Sequence, residues 1–287
     1  MSSAVFPAFA KLNLFLSVLG ERPDGYHELL TLFERVDLAD EVEVERSGPA
    51  GALEFSCDAP GVPSNGTNLA VRAAQAYREA SGWREGLRIR LEKRIPAGGG
   101  LGGGSSDAAA VLRAMQRLSG NALSLERMME CARGLGADVP FFVADTPWAV
   151  GRERGDKIEP FALEATLWHL LVTPDFPVPT KQVYQALKLT PSRPDATLLL
   201  RALERREIPR IRELLFNTLE PAVEELYPAM RRVKSNLEAI TGLSGARISG
   251  SGSSVFMLCE SREEAEQAVQ EMRRRHPSWQ VRAVKTV

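Results

Sequence analysis

The chain has 287 residues, 44% of them hydrophobic, and carries 36 lysines and arginines against 37 aspartates and glutamates, for a net charge of −1. That balance leaves no overall positive field to gather nucleic acid, so a nucleotide would have to be held by a local site. Single cores seldom grow beyond about 250 residues, so two domains are expected.

Residues 4–19 read as a strand. Leu12 to Leu19 is rather apolar and follows Lys11, but Asn13 and Ser17 interrupt it. GERPDGY follows where a signal peptide would place small residues, and no segment approaches transmembrane length. Residues 20–25 form a turn by their Pro and Gly content. Strands are expected at 41–45, where Val42 and Val44 alternate with glutamates, and at 52–57. A helix is expected over 68–80, with Asn65 or Thr67 near its start and Gly82 after its end. Leu87, Ile89 and Leu91 then alternate with Arg88, Arg90 and Glu92, the pattern of a half-exposed antiparallel strand.

Next comes Ile95-Pro-Ala-Gly-Gly-Gly-Leu-Gly-Gly-Gly-Ser-Ser-Asp-Ala-Ala-Ala-Val-Leu112, with six glycines in seven residues ahead of a helix-forming run. Glycines free the backbone to adopt positive φ and let an anion approach. The first-turn N–H groups of the following helix lack internal partners, so loop and helix together make a nest of donors suited to a polyphosphate. A flexible linker would be solvated on both sides, whereas this loop is flanked by a strand and a helix. No lysine follows the last glycine, which excludes the Walker pattern. The GxGxxG match of Gly98, Gly100 and Gly103 is weak in so glycine-rich a loop, and the alternating strand before it does not fit a dinucleotide fold. The VAIK, HRD and DFG elements of protein kinases are absent.

Ser105 or Ser106 is the expected cap of the helix after the loop, and Ser124 caps one running to Arg133, stopped by Gly134 and Gly136. Residues 141–144, 148–151 and 157–161 read as strands, with a polar turn at 152–155. Beyond about Phe161 the texture changes: a strand (167–172), a short helix (180–187), helical segments at 195–206 and 208–216, then helix (228–240), strand (246–249), strand (255–260), helix (262–275) and strand (280–287). That tail has the order of a split βαβ layer. The expected class is α+β, divided into residues 1–160 and 161–287, with ligands between the two parts. Cys57, Cys131 and Cys259 lie far apart with no CxxC pair, which supports neither a disulfide framework nor a zinc cluster; reduced thiols in the cytoplasm are the expectation.

Three segments in order, PAFAKLNL from Pro7, PAGGGLGGGSSDAA from Pro96 and GARISGSGSSVF from Gly245, resemble the three motifs of the GHMP kinases, which include galactokinase, homoserine kinase and mevalonate kinase. Arg22-Pro-Asp-Gly-Tyr-His-Glu28 and Gly136-Ala-Asp-Val-Pro-Phe-Phe142 are similar to the pattern of that family's cytidine-diphosphate-handling branch. The resemblance spans the chain. It implies an N-terminal ribosomal-S5-like domain that binds ATP and a C-terminal split βαβ (ferredoxin-like) domain. It also implies transfer of the γ-phosphate of ATP to the 2-hydroxyl of a cytidine diphosphate sugar alcohol, in the supply of isoprenoid precursors, without nucleic acid or membrane as a partner. Asp138 would accept the hydroxyl proton, and Lys11 would hold that carboxylate ionised and offset charge on the transferring group. Pro96, Ala97, Gly98, Gly99, Gly100, Leu101, Gly102, Gly103, Gly104, Ser105 and Ser106 would hold the nucleotide, with Mg2+ bridging its β- and γ-phosphates. Tyr26 would stack on the cytosine, His27 and Asn13 would offer hydrogen bonds, and Tyr184 would form the opposite wall. The loop 249–254 would close over the phosphate region.

Overall fold

The structure is a computed structural model that describes residues 2–189 and 194–287. In chain order its first part comprises β1 (Ser3–Glu21), β2 (His27–Arg46), β3 (Leu53–Cys57), α1 (Leu69–Ser81), β4 (Leu87–Glu92), α2 (Gly103–Leu118), α3 (Leu125–Leu135), α4 (Val139–Val143), β5 (Trp148–Glu153) and β6 (Lys157–Pro160). The second part comprises β7 (Trp168–Thr173), α5 (Thr180–Ala186), α6 (Ala196–Glu204), α7 (Ile208–Leu214), β8 (Phe216–Asn217), α8 (Glu220–Leu226), α9 (Ala229–Thr241), β9 (Arg247–Ile248), β10 (Val255–Cys259), α10 (Arg262–Arg275) and β11 (Gln280–Lys285).

The first sheet runs β3-β4-β2-β1-β8, with β5 paired to the early half of β2 and β6 paired to β5. β1 and β2 are long antiparallel partners, and their register shifts between Phe9 and Ala10, between Asn13 and Phe15, and between Val18 and Gly20. Such bulges bend a strand and re-aim its side chains. The second sheet runs β11-β7-β10-β9 and is antiparallel throughout, as the split βαβ reading expects. A division near residue 160 falls between β6 and β7, although β8 crosses back to pair with β1.

One core lies between the first sheet and α1–α4, where Ile89, Tyr77, Leu112 and Phe141 are buried together. Another packs α8, α9 and α10 against the second sheet. A third joins the two halves: Leu12, Leu14 and Val36 from β1 and β2 meet Leu171, Phe256 and Leu258 from β7 and β10. Through this junction passes a buried polar link, in which Glu34 on β2 accepts from Thr286 Oγ1 at 2.6 Å and lies 2.8 Å from His169 Nε2 on β7. A buried pair of this kind is costly to break one-sidedly, so it fixes how the two halves meet.

Three local expectations are corrected. α2 starts at Gly103 behind an N-cap Gly102 that makes no side-chain cap, so Ser105 and Ser106 lie inside the first turn rather than capping it. Residues 141–144 are not a strand: Pro140 sits in the first turn of α4, where its missing N–H costs no helical bond, and Val139 to Val143 are all buried. The α1 cap is Asn68, whose side chain accepts from Ala70 N at 2.8 Å, with Asn65 and Thr67 in the preceding turn.

Candidate active site

Two cavities, of about 600 and 730 Å³, lie side by side and share six lining residues, against β1, β2, the glycine loop and α5. The smaller, here the donor chamber, is lined by the whole run from Pro96 to Ser105, by Lys93 and Asp107, and by Lys11 and Asn13. The larger, the acceptor chamber, is lined by Arg22, Tyr26, His27, Lys181 and Gln185. Leu29, Ser105, Asp138, Arg154, Thr180 and Tyr184 line both and form the shared wall.

The glycine loop is held in place by backbone contacts that larger residues would prevent. Gly100 has φ +74°, and a Cβ there would overlap the carbonyl oxygen of Ser249. Gly102 has φ +71°, and a Cβ would meet the Phe142 ring at 3.0 Å and Lys11 Cγ at 3.1 Å. The late loop docks onto this run: Ser249 Oγ donates to Gly100 O at 3.0 Å, and Ser254 N donates to Gly99 O at 3.1 Å. Gly250 and Ser251 from that loop reach the donor chamber. Asn217 secures the loop from behind, its Nδ2 donating to Ile248 O and Gly250 O at 2.9 and 2.7 Å. The first turn of α2 lines this cavity through Gly103, Gly104 and Ser105, and a helix N-terminus favours bound phosphate.

Lys11 is buried on β1, and its own N–H donates to Leu101 O at 3.0 Å, tying strand to glycine loop. Its Nζ lies 3.9 Å from Asp138 Oδ2 and donates to Asn13 Oδ1. Asn13 Nδ2 donates to Thr31 Oγ1 at 2.8 Å, and Thr31 in turn donates to Phe15 O at 2.8 Å. This relay turns the Asn13 carbonyl oxygen toward the ammonium, so much of Asn13's hydrogen-bonding capacity is spent inside the protein. Burial lowers the Lys11 pKa below the ordinary lysine value, and the Asp138 carboxylate opposes that shift.

Asp138 follows the C-cap Gly136 of α3 and is the N-cap of α4. Its φ of −82° and ψ of −16° are ordinary helical values, so the carboxylate is presented without backbone strain. Its side chain is 34% exposed, accessible from the shared wall. Tyr184 on α5 has its hydroxyl pKa raised to about 12, first by burial and then by Asp138. Its ring packs on His27, centroid to centroid 5.0 Å at 39°. His27 opens β2 rather than sitting in the loop, while Tyr26 is 54% exposed, with the Arg154 guanidinium 5.0 Å from its ring centre. Ser106 stands apart from the other site candidates: it is buried and lines a separate small cleft with Arg113 and Phe142.

Several chamber residues lie outside the sequence expectations. Lys93 Nζ bridges two carboxylates, lying 2.8 Å from Asp107 Oδ2 and in contact with Asp40 Oδ2. Burial would lower the Lys93 pKa, but Asp107 and Asp40 more than offset it and the net shift is upward. The Asp107 carboxyl is raised to about 7, chiefly by burial and against the pull of Lys93, and its Oδ1 has no partner. Thr31, Arg154 and Thr180, whose Oγ1 lies 2.7 Å from Ser251 Oγ, complete the set. The only signal in the sequence was a polar residue breaking an apolar pattern, as Thr31 does in β2.

No group of three or more His, Cys, Asp or Glu side chains among the described residues is placed to hold a metal ion. Asp138 and Ser105 are oxygen donors on the shared wall. That sparse set suits an ion carried mainly by phosphate oxygens and water. No helix among the described residues is long and apolar enough to cross a membrane.

Residues 68–146 match the GHMP kinases N terminal domain, and residues 199–278 match the GHMP kinases C terminal domain. A 4-diphosphocytidyl-2-C-methyl-D-erythritol kinase from Citrifermentans bemidjiense is 42% identical over 278 residues, covering 97% of each chain. The chain belongs to the GHMP kinases, in the 4-diphosphocytidyl-2-C-methyl-D-erythritol kinase family. A crystal structure of a 4-(cytidine 5'-diphospho)-2C-methyl-D-erythritol kinase, 40% identical, superposes with a TM-score of 0.82 over 99% of this chain and 100% of that one. A homoserine kinase from Cytophaga hutchinsonii, 21% identical with a TM-score of 0.75 over 100% of this chain and 95% of that one, shares the fold. The α+β, two-part GHMP kinase architecture is thus established, and with it membership of a family of ATP-dependent small-molecule kinases.

Proposed function

We propose that this kinase transfers the γ-phosphate of ATP to the 2-hydroxyl of 4-diphosphocytidyl-2-C-methyl-D-erythritol, a step in the non-mevalonate route to isoprenoid precursors. The observation that carries the reading is Asp138 on the shared wall, 3.9 Å from Lys11 in the glycine-walled chamber and open to the aromatic one. ATP enters the donor chamber with its phosphates at the α2 N-terminus. The cytidyl end of the acceptor lies between Tyr26 and Tyr184, with His27 beside it, so the sugar alcohol extends toward Asp138. The Asp138 carboxylate takes the proton of the 2-hydroxyl as its oxygen bonds to the γ-phosphorus and the bond to the ADP oxygen breaks. Lys11, held by the Asn13–Thr31 relay, offsets charge on the transferring phosphoryl group. A loose transfer needs little more than such positioning and charge. Ser105 and Asp138 are the side-chain oxygens that would help hold Mg2+, which would supply charge neutralisation for the phosphates.

The test is ATP consumption by the purified chain with the cytidyl alcohol, mevalonate and homoserine supplied separately. Turnover confined to the cytidyl alcohol is expected. Faster turnover of mevalonate or homoserine would refute the assignment.

A further inference from the structure

Arg154 occupies a turn between β5 and β6 that is pressed onto β2. A Cβ at Gly155 would stand 3.8 Å from Leu29 and 3.9 Å from Phe33 and Thr31, the last of these being the end of the relay that positions Lys11. The guanidinium is fixed from one side. Its Nε and Nη2 lie 3.0 and 2.5 Å from Asp156 Oδ2, and Nη2 lies 3.5 Å from Arg133 O. Asp156 is buried and lines neither chamber, whereas Arg154 lines both, so the cavities face the cation and not its counter-ion. Nη1 makes no hydrogen bond among the described residues.

The other cations nearby are differently disposed. Arg22 is engaged by Glu28 at 2.5 Å and Asp24 at 3.3 Å. Lys181 is exposed on α5. Lys11 belongs to the reacting end. An acceptor reaching from Tyr26 to Asp138 must lay its diphosphate across the interval between them, and Arg154 stands there, over Tyr26 and on the shared wall.

We infer that Arg154 is a binding residue for the diphosphate of the cytidyl acceptor, its planar fork pre-set by Asp156. The inference rests on the cytidyl reading proposed above. A guanidinium already aligned by a buried carboxylate loses little freedom on meeting phosphate oxygens, and its uncommitted Nη1 keeps two N–H donors for them.

Calorimetry with cytidine, CMP and CDP on the full chain and on Arg154→Gln separates this from a merely structural role. Wild type should bind CDP more tightly than cytidine. Arg154→Gln should lose about tenfold to a hundredfold of CDP affinity, the range for hydrogen bonds to charged groups, with cytidine affinity unchanged. Arg154→Lys, which keeps the charge beside Asp156, should lower the CDP advantage in part and serves as the test if the glutamine variant does not fold. Equal loss for cytidine and CDP would mean that Arg154 only braces Tyr26, and no loss for either would mean that it touches neither; both overturn the inference. A wild type that binds ADP but none of the three cytidine ligands would instead remove the cytidyl reading itself.

Discussion

Around the donor chamber one unbroken run, Pro96 to Ser105, supplies a wall of backbone, whereas the acceptor chamber draws Tyr26, Asp138, Arg154 and Tyr184 from four separate segments. The difference follows from what each ligand offers. A polyphosphate is met by amide N–H groups, which every residue carries, and so the walls need only be bare and correctly curved. A nucleobase and a sugar alcohol are distinguished by rings, charges and hydroxyls that particular side chains must bring from wherever the fold places them. Damage to the first chamber should therefore act through backbone conformation, and damage to the second through loss of individual groups.

The largest effects are expected at the Lys11–Asp138 pair, where the donor chamber meets the shared wall. Lys11→Ala and Asp138→Asn should each lower kcat by at least about a hundredfold, the scale of a positioned base or electrostatic group, while both ligands still bind. Because burial lowers the Lys11 pKa, kcat/KM should also fall on an alkaline limb below the usual lysine range as the ammonium loses its proton. Lys11→Arg, which cannot deprotonate there, should lack that limb whatever its absolute rate. Near-normal turnover in either of the first two variants, measured at saturating substrates, would confine the chemistry to other residues.

Next is the backbone wall. Gly100→Ala places a side chain at φ +74° against Ser249 O, so it both strains the loop and pushes away the late loop docked on it. Strain of this kind costs about 1–3 kcal/mol, so ATP affinity should fall roughly 5- to 150-fold while cytidine ligands are spared. Gly103 is a poorer probe, because its Cβ would meet Ile95 at 3.0 Å and so report on packing beneath the loop. Equal weakening of nucleotide and cytidine binding in calorimetry would show that the two chambers are not independent.

The acceptor wall should answer in the opposite sense. Base stacking is worth about 1–3 kcal/mol, and the half-exposed setting of Tyr26 places it at the lower end. Tyr26→Ala should raise the KM for the cytidyl alcohol by about tenfold and leave that for ATP alone. An unaltered KM would move the base elsewhere in the cavity.

The same contrast governs how much could be read from the sequence. The glycine run is contiguous, and its bareness is visible letter by letter; so is the alternation of Leu87, Ile89 and Leu91 that leads into it. The late helices and strands were legible because their periodicities are clean, as in α10 over 262–275. The stretch of β2 before Glu41 was not, since Glu34 and Asp40 are charged residues buried by tertiary partners, which breaks the expected alternation. Val139 to Val143 is apolar on every side because the core surrounds it, and an apolar run so short does not distinguish strand from helix. Arg154 and Thr180 carry no local mark at all; only folding brings them to the shared wall. Asp107 looked like one more helix residue, and its importance lies in having Lys93 beside it.

Asp107 also offers the smallest and most revealing test of the donor chamber, because with Lys93 it sets a buried ionisable pair beside the backbone wall. Its folded pKa of about 7 stands well above the ordinary aspartate range, mainly through burial. A carboxyl that holds its proton more tightly when folded favours folding while protonated, and that advantage drains away as pH rises from about 4 toward 7. Asp107→Asn lacks the titration, and Lys93 keeps Asp40 as a partner. The melting temperature of the variant relative to wild type should therefore climb between pH 4 and pH 7, by about 2–4 °C for each kcal/mol involved, and level off by pH 8. Scanning calorimetry of both proteins across that range measures it. A difference that does not change with pH would mean that Lys93 keeps the carboxylate ionised throughout, making the pair a fixed ionic element of the chamber wall.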